Sequence, residues 1–151
     1  MDRLTAPLAA HHKACDEAFA DLEEAVAKGD WSRADGLCAS FSTALLAHFG
    51  VEEDSLFPAF ERRTGMAGGP TRIMRLEHMQ MRALVEELAE ALRVRDDDEF
   101  LGVVQTLLVL MQQHNLKEEN ILYPMCDDAM EPDGGNLRAI IEAALAGGVP
   151  A

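Results

Sequence analysis

Apolar residues recur along this chain in steps of four and three, and they do so in four successive stretches. From about Leu4 to Lys28 the stripe is Leu8, His12, Cys15, Phe19, Leu22 and Val26, the spacing of one buried face of an α-helix. Gly29 followed by Asp30 predicts a helix stop and the N-cap of the next helix. That second helix places Leu37, Phe41, Leu45, His48, Glu52 and Leu56 inward, and Pro58 is expected to end or kink it. A loop over Thr64 to Gly69 leads to Pro70, which suits the first turn of a third helix. The third stripe is Met74, His78, Met81, Val85, Leu88 and Leu92, and Arg95 to Asp98 is expected to form an acidic turn. The fourth helix turns Phe100, Val103, Leu107, Met111, His114, Glu118 and Leu122 inward. After Pro124 a polar loop with Pro132, Gly134 and Gly135 precedes a short apolar helix, Leu137 to Leu145, expected across one end.

The third and fourth stripes repeat the first two. The stretch His48-x-x-x-Glu52-Glu53-x-x-Leu56-Phe57-Pro58 returns as His114-x-x-x-Glu118-Glu119-x-x-Leu122-Tyr123-Pro124, and 114 − 48 = 66. The same offset relates His12 to His78, since 78 − 12 = 66, and it carries all six positions of the first stripe onto the third. The pattern predicts an all-α protein: an up-down-up-down four-helix bundle made of two repeated hairpins, about 4–63 and 70–130, with a C-terminal helix at about 136–146. No linker is long enough to divide it, so a single domain over 1–151 is expected. Residues equidistant from a turn face each other in an antiparallel hairpin. The midpoints of the pairs His12–His48 and His78–His114 are residues 30 and 96, both in expected turns. At about 1.5 Å per residue, all four histidines then lie roughly 25 Å from the turn end, in one layer.

Composition narrows what such a layer can be for. Of 151 residues, 48% are hydrophobic and 5% aromatic, which suits helix-on-helix packing around a core that needs no disulfides. The formal net charge of −14 argues against binding a nucleic-acid backbone or an anionic membrane surface, both of which call for clustered Lys and Arg. Bound cations would offset part of that charge, while most of it is a solvated acidic surface. Three cysteines, Cys15, Cys38 and Cys126, show no Cys-x-x-Cys spacing. The first residues lack the layout of a secretory signal, and no apolar run approaches membrane-spanning length. A reduced, cytoplasmic protein is the expectation. Its oligomeric state is not legible.

On a helix, residues four apart share a face. Each His-x-x-x-Glu therefore directs an imidazole nitrogen and a carboxylate oxygen into one small volume. Two such pairs plus His12 and His78 give four nitrogens and two carboxylates, a set suited to two borderline metal ions. Without a cation the layer would bury two anions among four imidazoles, and an unpaired buried carboxylate costs several kcal/mol. Nitrogen and carboxylate donors without thiolate suit iron, manganese or zinc. The Glu-x-x-His pairs of ferritin-like di-iron bundles are reversed here and spaced differently, and there is no His-Glu-x-x-His of a zinc protease. His11 competes with His12 for the first ligand position, and the 66-residue register favours His12. Glu53 and Glu119 are candidate acceptors for ligand imidazole N–H groups. Tyr123 could orient a carboxylate or move electrons, and Cys15, one turn past His12, could approach the ions or simply pack. Met74, Met79 and Met81 read as core and flank.

In these residues the chain resembles the hemerythrin-like, HHE cation-binding family of helical bundles, over about residues 4 to 130. The resemblance implies a non-haem di-iron centre, oxo- or hydroxo-bridged, with zinc or manganese as alternatives. The ligands it implies are His12, His48, His78 and His114, with Glu52 and Glu118 as bridging carboxylates. Oxygen-carrying hemerythrins have a fifth histidine one turn before the third-helix ligand, where this chain has Met74 and, in the first half, Leu8. Their last bridging carboxylate falls at Glu119, whereas internal symmetry points to Glu118. The pattern is also similar to the di-iron domain of iron–sulfur cluster repair proteins, without their cysteine-containing module. The expected function is binding or sensing of dioxygen, nitric oxide or redox state. The alternative is an enzyme acting on peroxide or nitric oxide, or an iron donor in cluster repair, so enzymatic activity is left open.

Overall fold

The computed structural model describes residues 3–130 and 134–146. Four long helices carry the repeat: α1 (Ala6–Ala27), α2 (Trp31–Val51), α4 (Pro70–Arg93) and α5 (Asp97–Lys117). Shorter helices α3 (Phe57–Thr64), α6 (Tyr123–Ala129) and α7 (Gly134–Leu145) complete it. Among the described residues there is no strand. Helix α1 packs on α2, α2 on α4, α4 on α5 and α5 on α1, so every neighbour in the ring runs antiparallel. This is the expected four-helix bundle with a C-terminal helix.

The two hairpin turns are alike in backbone although their sequences differ. Gly29 has φ +73° and Arg95, 66 residues on, has φ +56°. In each turn the preceding helix is closed by the following N–H groups, Asp30 N to Ala25 O and Asp96 N to Ala91 O. The side chains of Asp30 and Asp96 then accept from Arg33 N and Glu99 N and cap the next helix. Arg95 occupies a left-handed conformation that favours glycine. Its guanidinium pairs with both oxygens of Asp35 and lies over the Trp31 ring, tying the second turn to α2. The acidic turn expected at Arg95 to Asp98 is shorter: Asp97, Asp98 and Glu99 already form the first turn of α5, where anions complement the helix dipole.

Pro58 does not end the helical run, contrary to one expectation. A single π-helical turn, Glu52–Leu56, joins α2 to α3, and a second, Glu118–Leu122, joins α5 to α6. In each, the hydrogen bond widens by one residue, Phe57 N to Glu52 O and Tyr123 N to Glu118 O. Pro58 and Pro124 then fall in the first turn of the following segment, where a missing N–H is tolerated. The Glu53 carbonyl, left without its usual donor, is met by Arg75 Nη1 at 3.4 Å. Each π-turn begins at a glutamate, and such turns are frequent at functional sites.

The core is divided in two. Toward the hairpin turns, Phe19, Leu22, Phe41, Leu88, Leu107 and their neighbours pack together; at the other end Leu8, Leu56, Phe57, Phe60, Met74, Leu122 and Tyr123 do so. Helix α7 closes that second end, with Ile141 fully buried against it. It begins at Gly134, two residues earlier than expected; the polar loop expected around Pro132 lies partly outside the described residues. Leu37 and Val26 are only half-buried, with Cys38 and Ala25 taking the inner positions beside them. Met79 is exposed. Between the two cores lies a layer of polar residues.

Candidate metal centre

That layer contains His12, His48, Glu52, His78, His114 and Glu118, each at most 4% exposed. The stripe period brings each histidine to the bundle axis at the same height, and the π-turns begin at the two glutamates. The six side chains form two tetrads that share both carboxylates. One is His12, His48, Glu52 and Glu118; the other is Glu52, His78, His114 and Glu118, with the donor atoms of each within 4.8 Å of one another. Individual separations are 3.0 Å from His12 Nε2 to Glu118 Oε1, 3.1 Å from His78 Nε2 to Glu52 Oε1 and 3.3 Å from His114 Nε2 to Glu118 Oε1. His48 Nε2 lies 3.5 Å from Glu52 Oε2.

The outer nitrogens fix which way the inner ones face. His12 Nδ1 lies 2.7 Å from Glu119 Oε2, His78 Nδ1 2.6 Å from Glu53 Oε2, and His114 Nδ1 2.8 Å from Glu77 Oε1. An ionised carboxylate only accepts, so each of these imidazoles donates from Nδ1 and directs Nε2 at the shared glutamates, where it offers a lone pair once deprotonated. Several of those inner atoms have no hydrogen-bond partner: Glu52 Oε1, His78 Nε2, His114 Nε2 and Glu118 Oε2. Buried polar atoms are rarely left so. With the imidazoles deprotonated, these nitrogens and carboxylate oxygens converge as the donor set a cation requires, and imidazole nitrogen with carboxylate oxygen suits borderline divalent and trivalent metals. The residues fit a metal.

The outer layer obeys the repeat with one exchange. Glu119 of the second half serves His12 of the first, and Glu53 of the first half serves His78 of the second. Glu77 serves His114, and its counterpart for His48 is residue 77 − 66 = 11, which is His11. His11 Nδ1 sits 2.9 Å from His48 Nδ1, and the rings stack with centroids 5.1 Å apart. His11 is therefore in neither tetrad and takes the place of a carboxylate. Glu77 and this role of His11 were missed by sequence reasoning, although the 66-residue register pairs them. Cations also differ between the halves. Arg82 holds Glu53 through two contacts of 2.8 and 3.0 Å, and Lys117 pairs with Glu77; the counterpart of Arg82 is Asp16, whose carboxyl is raised by burial and by Glu119.

Electrostatics follow from this packing. Burial alone would push the Glu52 carboxyl up, but His48 and His78 outweigh it and hold it well below the usual range. Burial opposes protonation of His114, yet Glu118, Glu52 and Glu77 lift it to about 9, and the same balance with Glu118, Glu52 and Glu119 raises His12. His11 moves the other way, to about 4, because burial and the neighbouring His48 and His12 disfavour its charge. Cys15 Sγ meets His11 Nδ1 at 3.6 Å and stands clear of both tetrads; burial pushes its thiol up to about 12, so it packs as a neutral group. Tyr123 reaches into the layer and is fully buried there, its hydroxyl pushed up by burial and by Glu118 and Glu52. Phe49 and Phe57 stack on His78 with centroids at 4.0 and 5.8 Å and bury its ring.

Compared with known families, residues 3–126 match the hemerythrin HHE cation binding domain. No curated protein and no solved structure gave a match.

Proposed function

Since the chain belongs to the hemerythrin HHE cation-binding family and carries a buried His–Glu cluster able to bind metal, we propose that it is a cytoplasmic non-haem di-iron protein that binds or senses dioxygen, nitric oxide or redox state. The observation that carries this reading is the sharing of Glu52 and Glu118 by two tetrads. One buried carboxylate serving one ion would need no second set of imidazoles; two carboxylates between two pairs of imidazoles are the arrangement of a bridged pair. His12 and His48 would hold one ion, His78 and His114 the other, with Glu52 and Glu118 between them. Two irons so held supply a redox-active centre at which a small molecule can bind.

The protein's own contribution is positioning and exclusion. Glu119, Glu53 and Glu77 lock three imidazoles in one tautomer and orientation, and His11 orients the fourth. Phe49 and Phe57 keep water from His78. The family's oxygen carriers have a fifth histidine at the place of Met74, which is buried here against the second core cluster. That apolar substitution supports a second reading, turnover of peroxide or nitric oxide, or release of iron to damaged clusters, since fewer protein donors leave more of the coordination sphere labile.

Elemental analysis and absorption spectroscopy test the first reading. As isolated or reconstituted with iron, the protein is expected to contain close to two irons per chain, one for each tetrad, and to show near-ultraviolet charge-transfer absorption. Reduction followed by oxygen then separates a reversible adduct from consumption of oxygen or peroxide. A preparation that takes up zinc alone and shows no redox response contradicts the di-iron reading.

A further inference from the structure

The repeat breaks at one aromatic residue, and the break lies at the centre of the layer. Tyr123 and Phe57 are counterparts, since 123 − 66 = 57, and both are buried. The Tyr123 hydroxyl oxygen lies 2.6 Å from Glu52 Oε2, 3.1 Å from Glu118 Oε1 and 3.3 Å from each of His12 Nε2 and His48 Nε2. It thus touches every member of the first tetrad. A phenol has one proton to donate. Glu52 and Glu118 both present acceptor oxygens to it, and one hydrogen cannot satisfy both carboxylates. The distances carry a second message. Two donors at right angles about a metal, each roughly 2.1 Å from it, are about 3 Å apart, so an oxygen near 3 Å from four donors at once stands where a fifth ligand stands.

We propose that Tyr123 is itself a ligand of the ion held by His12 and His48, so that the two metal positions are inequivalent. The inference rests on the di-iron reading above and deepens it. On binding, the O–H bond of Tyr123 breaks, an oxygen–metal bond forms, and the proton passes to solvent with no change of oxidation state. The first ion then has five protein side chains: His12, His48, Glu52, Glu118 and Tyr123. The second has four, because Phe57, the counterpart of Tyr123, has no oxygen to offer. An exogenous ligand therefore goes to the ion held by His78 and His114.

The test uses the full chain loaded with iron(II) without oxygen and then oxidised with ferricyanide. The wild-type protein is expected to show a visible phenolate-to-iron(III) charge-transfer band, with resonance Raman enhancement of tyrosine ring modes under it. Tyr123→Phe is expected to lose both while keeping its near-ultraviolet absorption. Adding azide to the wild type is expected to leave the phenolate band in place, because azide binds the other ion. Two irons per chain with no visible band or tyrosine enhancement in the wild type overturns the proposal while leaving the di-iron reading intact; failure to bind iron at all overturns the di-iron reading itself. A band that survives unchanged in Tyr123→Phe, or that azide abolishes in the wild type, also overturns the assignment. The Raman measurement on the wild type decides even where the variant does not fold.

Discussion

At the scale of single residues, the chemistry of the layer is set by which nitrogen of each histidine keeps its lone pair, and that is decided one shell further out. Glu77 makes the point: it lies outside both tetrads, yet it accepts the proton of His114 Nδ1 and is itself held by Lys117. Replacing it, Glu77→Gln, is expected to weaken metal binding about 10–100-fold, read by competition with a chelator, while the helical content persists because both apolar clusters are left in place. The metal-free protein has a distinct pH response. His114 is raised from 6.5 to about 9, so its protonated form stabilises the stripped fold fully below pH 6.5, and this contribution is lost as pH rises through about 9. Metal competes with that proton, so apparent metal affinity changes in the opposite sense, rising with pH up to about 9. Thermal melts and metal titrations across this window should therefore slope in opposite directions; parallel slopes would show that His114 is not the proton-bearing partner.

At the scale of elements, the repeat explains both what could be read from the chain and what could not. The four stripes, the turns at Asp30 and Asp96, and the common height of the histidines follow from period and register alone, and the structure contains each of them. The caps are local enough to predict energetically: Asp30→Ala and Asp96→Ala should each cost about 1 kcal/mol of stability, additively, in chemical denaturation. The π-turns were not legible. Pro58 in a helical pattern reads as a stop because the i→i−4 bond it removes is assumed; widening the preceding turn to i→i−5 carries the helix past it. Glu77, Arg82 and Lys117 lie on helix flanks rather than on the buried stripes, and whether a flank residue reaches a neighbour depends on how the helices cross. The hydrophobic period holds no information about that. Tyr123 was legible as a candidate, but its contact with four donor atoms was not.

For the whole molecule, the polar layer separates two apolar clusters, and each has its own consequence. The cluster nearer the hairpin turns contains Phe19, Phe41, Leu88 and Leu107, all nearly fully buried. Leu107→Ala should cost about 2–5 kcal/mol without changing metal stoichiometry, since it leaves every donor in place. Stripping the metal should do the reverse: helical circular dichroism persists because the clusters on both sides still pack, while the melting temperature falls as ligand linkage is lost. A protein that unfolds on chelation would show that the ions, rather than the apolar clusters, hold the bundle together.

In the di-iron reading, Glu52 and Glu118 each serve two ions at once. Anomalous diffraction at the iron edge from crystals of the iron-loaded protein tests it most directly. Two peaks about 3.5–4 Å apart are expected, one beside His12 and His48 and the other beside His78 and His114, with both carboxylates between them. A single peak, or two peaks with either glutamate turned away, would contradict it.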